Sequence, residues 1–272
     1  ITQTNSYILT IYEKRVSNED LPYFINLMSY LSERNKLFPK PFKNNFGDFI
    51  QKIKNKNSAI ISILPGKQIL LPSNKNCFEL GKTLSAMHLS TVDFKHYRAN
   101  SLGQNSWNSL FENCMKSKNN IINEKDKELI NHTLEILNEN WPKNLTKGQI
   151  HADLFTDNVF FKDGNVSGII DFYFSCTDFL AYDLAVCIND WCFDKEGNYL
   201  EDNALSLIEG YELNRKLEKN EEMFLPLLVL GASLRFYLTR LYDWMNTPKD
   251  ANVIKKSPIE YLNKIKINLS KL

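Results

Sequence analysis

The stretch His151–Phe174, HADLFTDNVFFKDGNVSGIIDFYF, decides how the rest of the chain is read. Asp153 is followed five residues later by Asn158, which opens an apolar, aromatic run, Val159-Phe160-Phe161. Asp163-Gly164 is a strong hairpin-turn signal. Val166–Ile170 reads as the returning strand, with Asp171 at its end. A hairpin with that turn brings its outer ends together, so Asn158 and Asp171 should face each other across the strand pair. Asp153 is then held in the loop just before them. Two facing oxygen donors suit Mg2+, a hard cation that keeps some of its water. A third carboxylate beside such a metal can take the proton of an attacking hydroxyl. Taken separately, the three are a loop cap, a turn residue and a strand-end charge; taken together they make one site.

A loop of the form H-x-D-x-x-x-x-N followed by a second Asp is the arrangement that protein kinases use for phosphoryl transfer. The chain resembles the kinase-like fold of aminoglycoside phosphotransferases and choline kinases, and in detail the homoserine kinases of that superfamily. The resemblance is carried by His151–Phe155, Asp157–Phe161 and Ile170–Phe174, with further matches at Leu180–Ala185, Tyr12–Arg15 and Leu234–Phe236. It implies an α+β, two-lobed protein kinase-like fold. A small β-rich nucleotide-binding lobe would occupy residues 1–65, and a larger, mostly helical lobe for catalysis and substrate residues 66–272. It also implies ATP and Mg2+ as cofactors and homoserine as the alcohol phosphorylated, giving O-phosphohomoserine on the way to threonine. Choline, an aminoglycoside or another small alcohol is the rival substrate, and a catalytically inactive scaffold the rival function.

In the terms of the resemblance, Asp153 accepts the proton, His151 orients its loop, and Asn158 and Asp171 hold the metal. Asp183, early in a helix, braces the loop or caps its own helix. The backbone of Ser62, Ile63 and Leu64 forms the hinge that meets adenine. A cation is wanted on the nucleotide phosphates. The kinase position for it falls on Thr10, which is not basic, so Lys14 is the candidate.

Arg235 stands out on a long apolar helix, because its helical neighbours Gly231, Ala232, Leu238 and Thr239 offer no acid. Such an arginine needs a partner from elsewhere. A substrate carboxylate matches its two parallel donors, and a buried acid of the same lobe would serve as well. Arg240 on the same helix has Asp243 three residues on. Asp178 is the acid available to a substrate ammonium, or it caps the following helix.

Outside the central stretch, Tyr7–Tyr12 and Ala59–Leu64 read as strands. Leu21, Phe24, Ile25, Met28 and Leu31 share one helical face that ends near Arg34. Pro65-Gly66 marks the lobe boundary, and beyond it helices are expected at Cys77–Ser90, Ser106–Lys118 and Glu124–Asn140. Four more follow the central stretch, near Leu180–Phe193, Asn203–Asn214, Glu221–Met245 and Pro258–Leu269. His88, on an apolar stripe, reads as a core histidine. The chain opens at Ile1 with Tyr7–Tyr12 already an interior strand, so the expectation is an N-terminal lobe without its first strands and phosphate-covering loop.

The composition narrows the partners. A net charge of +1 over 272 residues leaves no electrostatic footprint for nucleic acid or an anionic membrane. No signal peptide is visible, and no apolar run reads as a membrane span. The five cysteines form no C-x-x-C pair, which argues against zinc and for free thiols in the cytoplasm. Oligomeric state is left open.

Overall fold

The alternating run Tyr7–Ile11 forms strand β1 in the computed structural model, which describes residues 6–13, 16–118, 121–247 and 255–272. It pairs antiparallel with β4 (Lys56–Ser62), setting Thr10 opposite Ala59. β2 (Pro41–Phe42) and β3 (Gln51–Ile53) pair with the other edge of β4 and complete a four-stranded sheet. Helix α1 (Leu21–Arg34) buries the apolar face read from its spacing, with Leu21, Phe24, Ile25, Met28 and Leu31 all in the core. β4 stops at Ser62, short of the expected Leu64. There the Ser62 N–H donates to Lys40 O (2.9 Å) and its Oγ accepts from Lys40 N–H (2.9 Å).

The chain then crosses to the second lobe along a hairpin of β6 (Val159–Lys162) and β7 (Asn165–Ile169). Lys67 exchanges both backbone hydrogen bonds with Phe161, and Ser167 Oγ donates to Pro65 O (2.7 Å). Gly168 is required there, since a Cβ on it would stand 2.8 Å from that of Leu64. β5 (Lys147–Ile150) pairs with β8 (Cys176–Phe179) in a second small sheet.

Helices make up the rest: α2 (Asn74–Ser90), α3 (Gln104–Met115), α4 (Glu124–Asn140), α5 (Leu180–Trp191), α6 (Glu201–Glu212), α7 (Lys219–Asn246) and α8 (Ile259–Leu269). α2 begins before the expected Cys77 because Ser73 and Asn76 form a reciprocal cap. One helix does reach membrane-spanning length: α7 has 28 residues and a mean hydropathy of 1.4 over its most apolar window. That window is 78% buried by α3, α5 and α8, so its apolarity is that of a core helix. All five cysteines lie in the core as free thiols.

Candidate active site

Asp163 and Gly164 both take positive φ (52° and 79°), the conformation that a two-residue hairpin turn demands. β6 and β7 therefore pair from Lys162↔Asn165 back to Val159↔Ile169, through a bulge at Phe160/Phe161. Just outside the ladder, Ile170 N–H donates to Asn158 O (3.0 Å), so the two outer ends meet as the sequence suggested. Asp171 then takes a left-handed conformation (φ 66°) that turns the chain out of the strand into a single 3-10 turn, Phe172–Phe174.

The loop that carries Asp153 is held by one face of α5. His151 N–H and Ala152 N–H donate to Asp183 Oδ2 and Oδ1 (2.8 Å each). Thr156 N–H donates to Asp190 Oδ2 (2.7 Å), and Leu154 O accepts from Trp191 Nε1 (2.9 Å) and the Cys187 thiol (3.8 Å). Positions 183, 187, 190 and 191 share one side of a helix. Asp183 also accepts from His88 Nε2 (3.1 Å), whose Nδ1 faces Tyr211 Oη (2.9 Å). Burial pushes the Asp183 carboxyl up, yet His88, His151 and the loop amides outweigh it and hold it below the usual range. Both competing readings of Asp183 thus have a position to test, and the contacts are those of a brace. Asp190, Cys187 and Trp191 were missed, although their spacing from Asp183 was a usable signal.

His151 is buried with both ring nitrogens engaged. Nδ1 accepts from Asp153 N–H (3.3 Å) and Nε2–H donates to Ile170 O (2.9 Å), tying the loop to the strand that ends in Asp171. Ala152 has φ 62°. Its N–H is fixed by Asp183 and its carbonyl accepts 2.7 Å from Arg235 Nη1, so this non-glycine left-handed turn is over-determined. The turn aims Asp153 into the cleft.

Asn158 Nδ2 donates to Asp153 O (2.8 Å) and lies 3.4 Å from Asp153 Oδ2, which leaves the amide oxygen turned the other way. Burial raises the Asp153 carboxyl, opposed by Arg235 and His151 and reinforced by Asp171 and Asp157. Asp171 lies open at the cleft rim, yet the surrounding protein raises its carboxyl too, with His151 opposing. Two carboxylates and an amide oxygen at one hairpin end are hard donors and fit Mg2+. No cluster of three or more His, Cys, Asp or Glu able to hold a metal stands among the described residues.

Arg235 is 3% exposed, and its guanidinium lies 3.9 Å from Asp153 Oδ1 and 3.9 Å from the Phe236 ring centroid. The acid absent from its own helix is therefore Asp153. Arg240 reaches across helices to Glu260 Oε2 (2.6 Å), a long-range partner that its local spacing could not point to. Asp178 Oδ1 accepts from Phe179 N–H and Oδ2 from Asn100 Nδ2 (2.8 Å each), at the edge of a cleft of about 380 Å³ shared with Lys143 and Lys147. Ile63 is half exposed beside buried Leu64, and the backbone groups of both are unpaired among the described residues. Thr10 lies on β1 two residues before Tyr12, whose Oη hydrogen-bonds Tyr173 Oη (3.1 Å). Lys14 lies outside the described residues.

Known proteins agree with this geometry. The model of the Phosphotransferase enzyme family matches residues 1–215. A protein of Sinorhizobium fredii named homoserine kinase is 46% identical over 98% of this chain and 82% of its own. One of Xanthobacter autotrophicus with the same name is 45% identical over 98% and 83%. Among solved structures, an amicoumacin kinase in complex with AMP-PNP and Ca2+ superimposes with a TM-score of 0.73 at 14% identity, over 98% of this chain and 82% of its own. A microcompartment-associated aminopropanol kinase gives 0.69 at 15% identity, over 98% and 84%. With its two-lobed kinase-like fold, the chain belongs to the Phosphotransferase enzyme family, and within it to the group of these homoserine kinases.

Proposed function

We propose that the protein transfers the terminal phosphoryl group of ATP to the hydroxyl of homoserine, making O-phosphohomoserine for threonine synthesis in the cytoplasm. The observation that carries this reading is the meeting of Asp153, Asn158 and Asp171 at one hairpin end, in a chain so similar to homoserine kinases along nearly its whole length.

Asp153 orients the hydroxyl and takes its proton. A base must be ionised, and Arg235 is the group that most opposes the effect of burial on this carboxyl. Asn158 and Asp171 hold the cation; Mg2+ and ATP, when bound, supply the charge-neutralised phosphoryl group. His151 and Asp183 are positioning residues, since their polar atoms meet the loop and its supports. Residues 1–65 would form the nucleotide lobe and 66–272 the catalytic lobe. Ile63 and Leu64 offer backbone groups to adenine, while Ser62 N–H and Oγ are already bonded to Lys40. Lys14 remains the candidate for the phosphates.

Arg235 is assigned to the substrate carboxylate: among the described residues its one hydrogen bond is from Nη1, the atom that also lies 3.9 Å from Asp153, which leaves Nη2 and Nε for the substrate. Asp178 is assigned to the ammonium, each of its oxygens keeping a lone pair beyond the N–H it accepts.

The test is a substrate panel with Mg2+ and ATP, measuring ADP release with homoserine, choline, an aminoglycoside and 3-aminopropan-1-ol. Homoserine should give the highest kcat/KM. Preference for choline or the aminoglycoside would replace the substrate, and no turnover with any of them would leave a scaffold.

A further inference from the structure

Asp20 occupies the N-cap position of α1, where an aspartate ordinarily accepts a backbone N–H of its own helix. Here it makes no such bond. Its carboxylate instead lies 2.8 Å from Arg98 Nη2, across the lobe junction. Arg98 belongs to the segment between α2 and α3. Its Nη1 donates to Ser175 O (3.2 Å), four residues after Asp171. Its guanidinium covers the Phe24 ring of α1 at 4.9 Å, and Phe24 packs edge-on against Tyr173. Arg98 Nε is buried without a partner, so Asp20 and Ser175 set this guanidinium's position at the expense of its own hydrogen bonding.

We propose that Arg98 is a positioning residue that couples the seating of α1 to the conformation of the Asp171 turn, and through it to binding of the Mg2+–nucleotide. The inference rests on Asp171 being a cation ligand, as proposed above. Asp171 is a non-glycine residue at positive φ. Such a turn persists only where its surroundings over-determine it. From the N-terminal lobe that restraint comes through Tyr173, bonded to Tyr12 and packed on Phe24, and through Ser175, held by Arg98 and thereby by Asp20. If α1 moves away, the clamp opens and the turn loses two of its holds at once.

Two substitutions test this. Arg98→Met removes both arms of the clamp. Asp20→Ala removes only the arm to α1, and costs the helix no capping bond because none is made. Amide hydrogen exchange in the ligand-free protein should speed up at residues 171–176 in both variants. Calorimetry should show the dissociation constant of Mg2+–ATP raised about tenfold in Arg98→Met and less in Asp20→Ala, within the usual range of coupling between sites. The KM for homoserine should stay near wild type, and the double variant should be no worse than Arg98→Met. If both variants lose thermal stability but keep wild-type exchange at 171–176 and wild-type nucleotide affinity, the clamp is only structural and the proposal falls. Should Arg98→Met fail to fold, Asp20→Ala decides alone. Absence of Mg2+–ATP binding by the wild type would defeat the kinase reading, while the exchange measurement would still decide the coupling.

Discussion

Replacing Arg235 by methionine keeps a long apolar side chain on α7 and removes the guanidinium. The Nη1–Oδ1 distance to Asp153 is 3.9 Å, and the side chains are 4% and 16% exposed. At an effective dielectric constant of about 20, opposite unit charges at that separation attract by about 4 kcal/mol. Burial already raises the Asp153 carboxyl, and Arg235 is the main influence pulling it back. Its removal leaves the proton harder to lose, so the acid limb of kcat/KM for homoserine should move to higher pH. A substrate carboxylate deprived of a charged hydrogen bond should bind more weakly by about 1.5–3 kcal/mol, roughly 10–150-fold in KM. The KM for ATP should change little. Arg235→Lys separates the two effects: it keeps the charge, and with it most of the acid limb, but loses the paired donors, so the homoserine KM still rises. The assay is steady-state kinetics across pH with both substrates varied in turn. An unmoved acid limb in Arg235→Met, with the homoserine KM within about twofold of wild type, would reduce Arg235 to a support for the Ala152 carbonyl.

Asp153→Asn should keep nucleotide affinity and lose about 10²–10⁴-fold in kcat, the usual contribution of a general base; more than about a tenth of wild-type turnover would refute the role. Asp171→Ala should raise the Mg2+ concentration needed for half-maximal activity more than Asn158→Ala does, because the carboxylate carries the charge, and an unchanged Mg2+ titration would remove the hairpin end from the metal site. Asp183→Asn turns an amide group toward the N–H donors of His151, Ala152 and His88, and should destabilise the fold by about 3–5 kcal/mol in urea unfolding. The same residue sets an acid dependence: its folded pKa is lowered, so its stabilisation is present above the unfolded pKa and lost as pH falls through the folded one. Unfolding curves of wild type and Asp183→Asn should therefore converge in acid, and a constant gap between them would contradict the assignment.

What could be read in the sequence was what depends on local pattern. The Asp163-Gly164 turn fixed the register of β6 and β7, and that register alone brings Asn158 level with the start of Asp171's turn. The face of α1 followed from its spacing, and the expected helix Glu124–Asn140 is α4 with the same bounds. Contacts set by tertiary packing were not readable in this way. Arg235 was recognised as needing an acid, but no periodicity could say that the acid would be Asp153, more than eighty positions earlier. The end of β4 was misplaced because Lys40, far along the chain, takes up the Ser62 groups. Polar residues interrupt the apolar run of α7, so its sequence reads as a helix and not as a span; its most apolar window is long and apolar enough for one, yet 78% of that window is buried in the core. Asp190 and Trp191 lie at helical spacing from Asp183 on the same side of α5, so the sequence did carry a signal for them.

Backbone strain explains why so many buried groups converge on so short a loop. Asp153 follows a left-handed alanine, and Asp171 is itself left-handed. A non-glycine residue in that conformation costs about 1–2 kcal/mol, and neither turn carries the glycine that would relieve it. The restraints are distributed accordingly. Ala152 is fixed at its N–H by α5 and at its carbonyl by α7. The Asp171 turn is flanked by His151 bonded to Ile170 on one side and by Arg98 bonded to Ser175 on the other. Each strained turn is thus gripped by groups from elements remote in sequence, and both grips include the charged side chain of a residue that is itself buried or nearly so. Ala152→Gly should relieve the first strain without removing any of these contacts. It should leave unfolding free energy unchanged or slightly raised, yet lower kcat, because a glycine there no longer aims Asp153 in one direction. A variant with both stability and kcat lowered would mean that the Ala152 methyl is needed for packing and that strain is not what the turn stores.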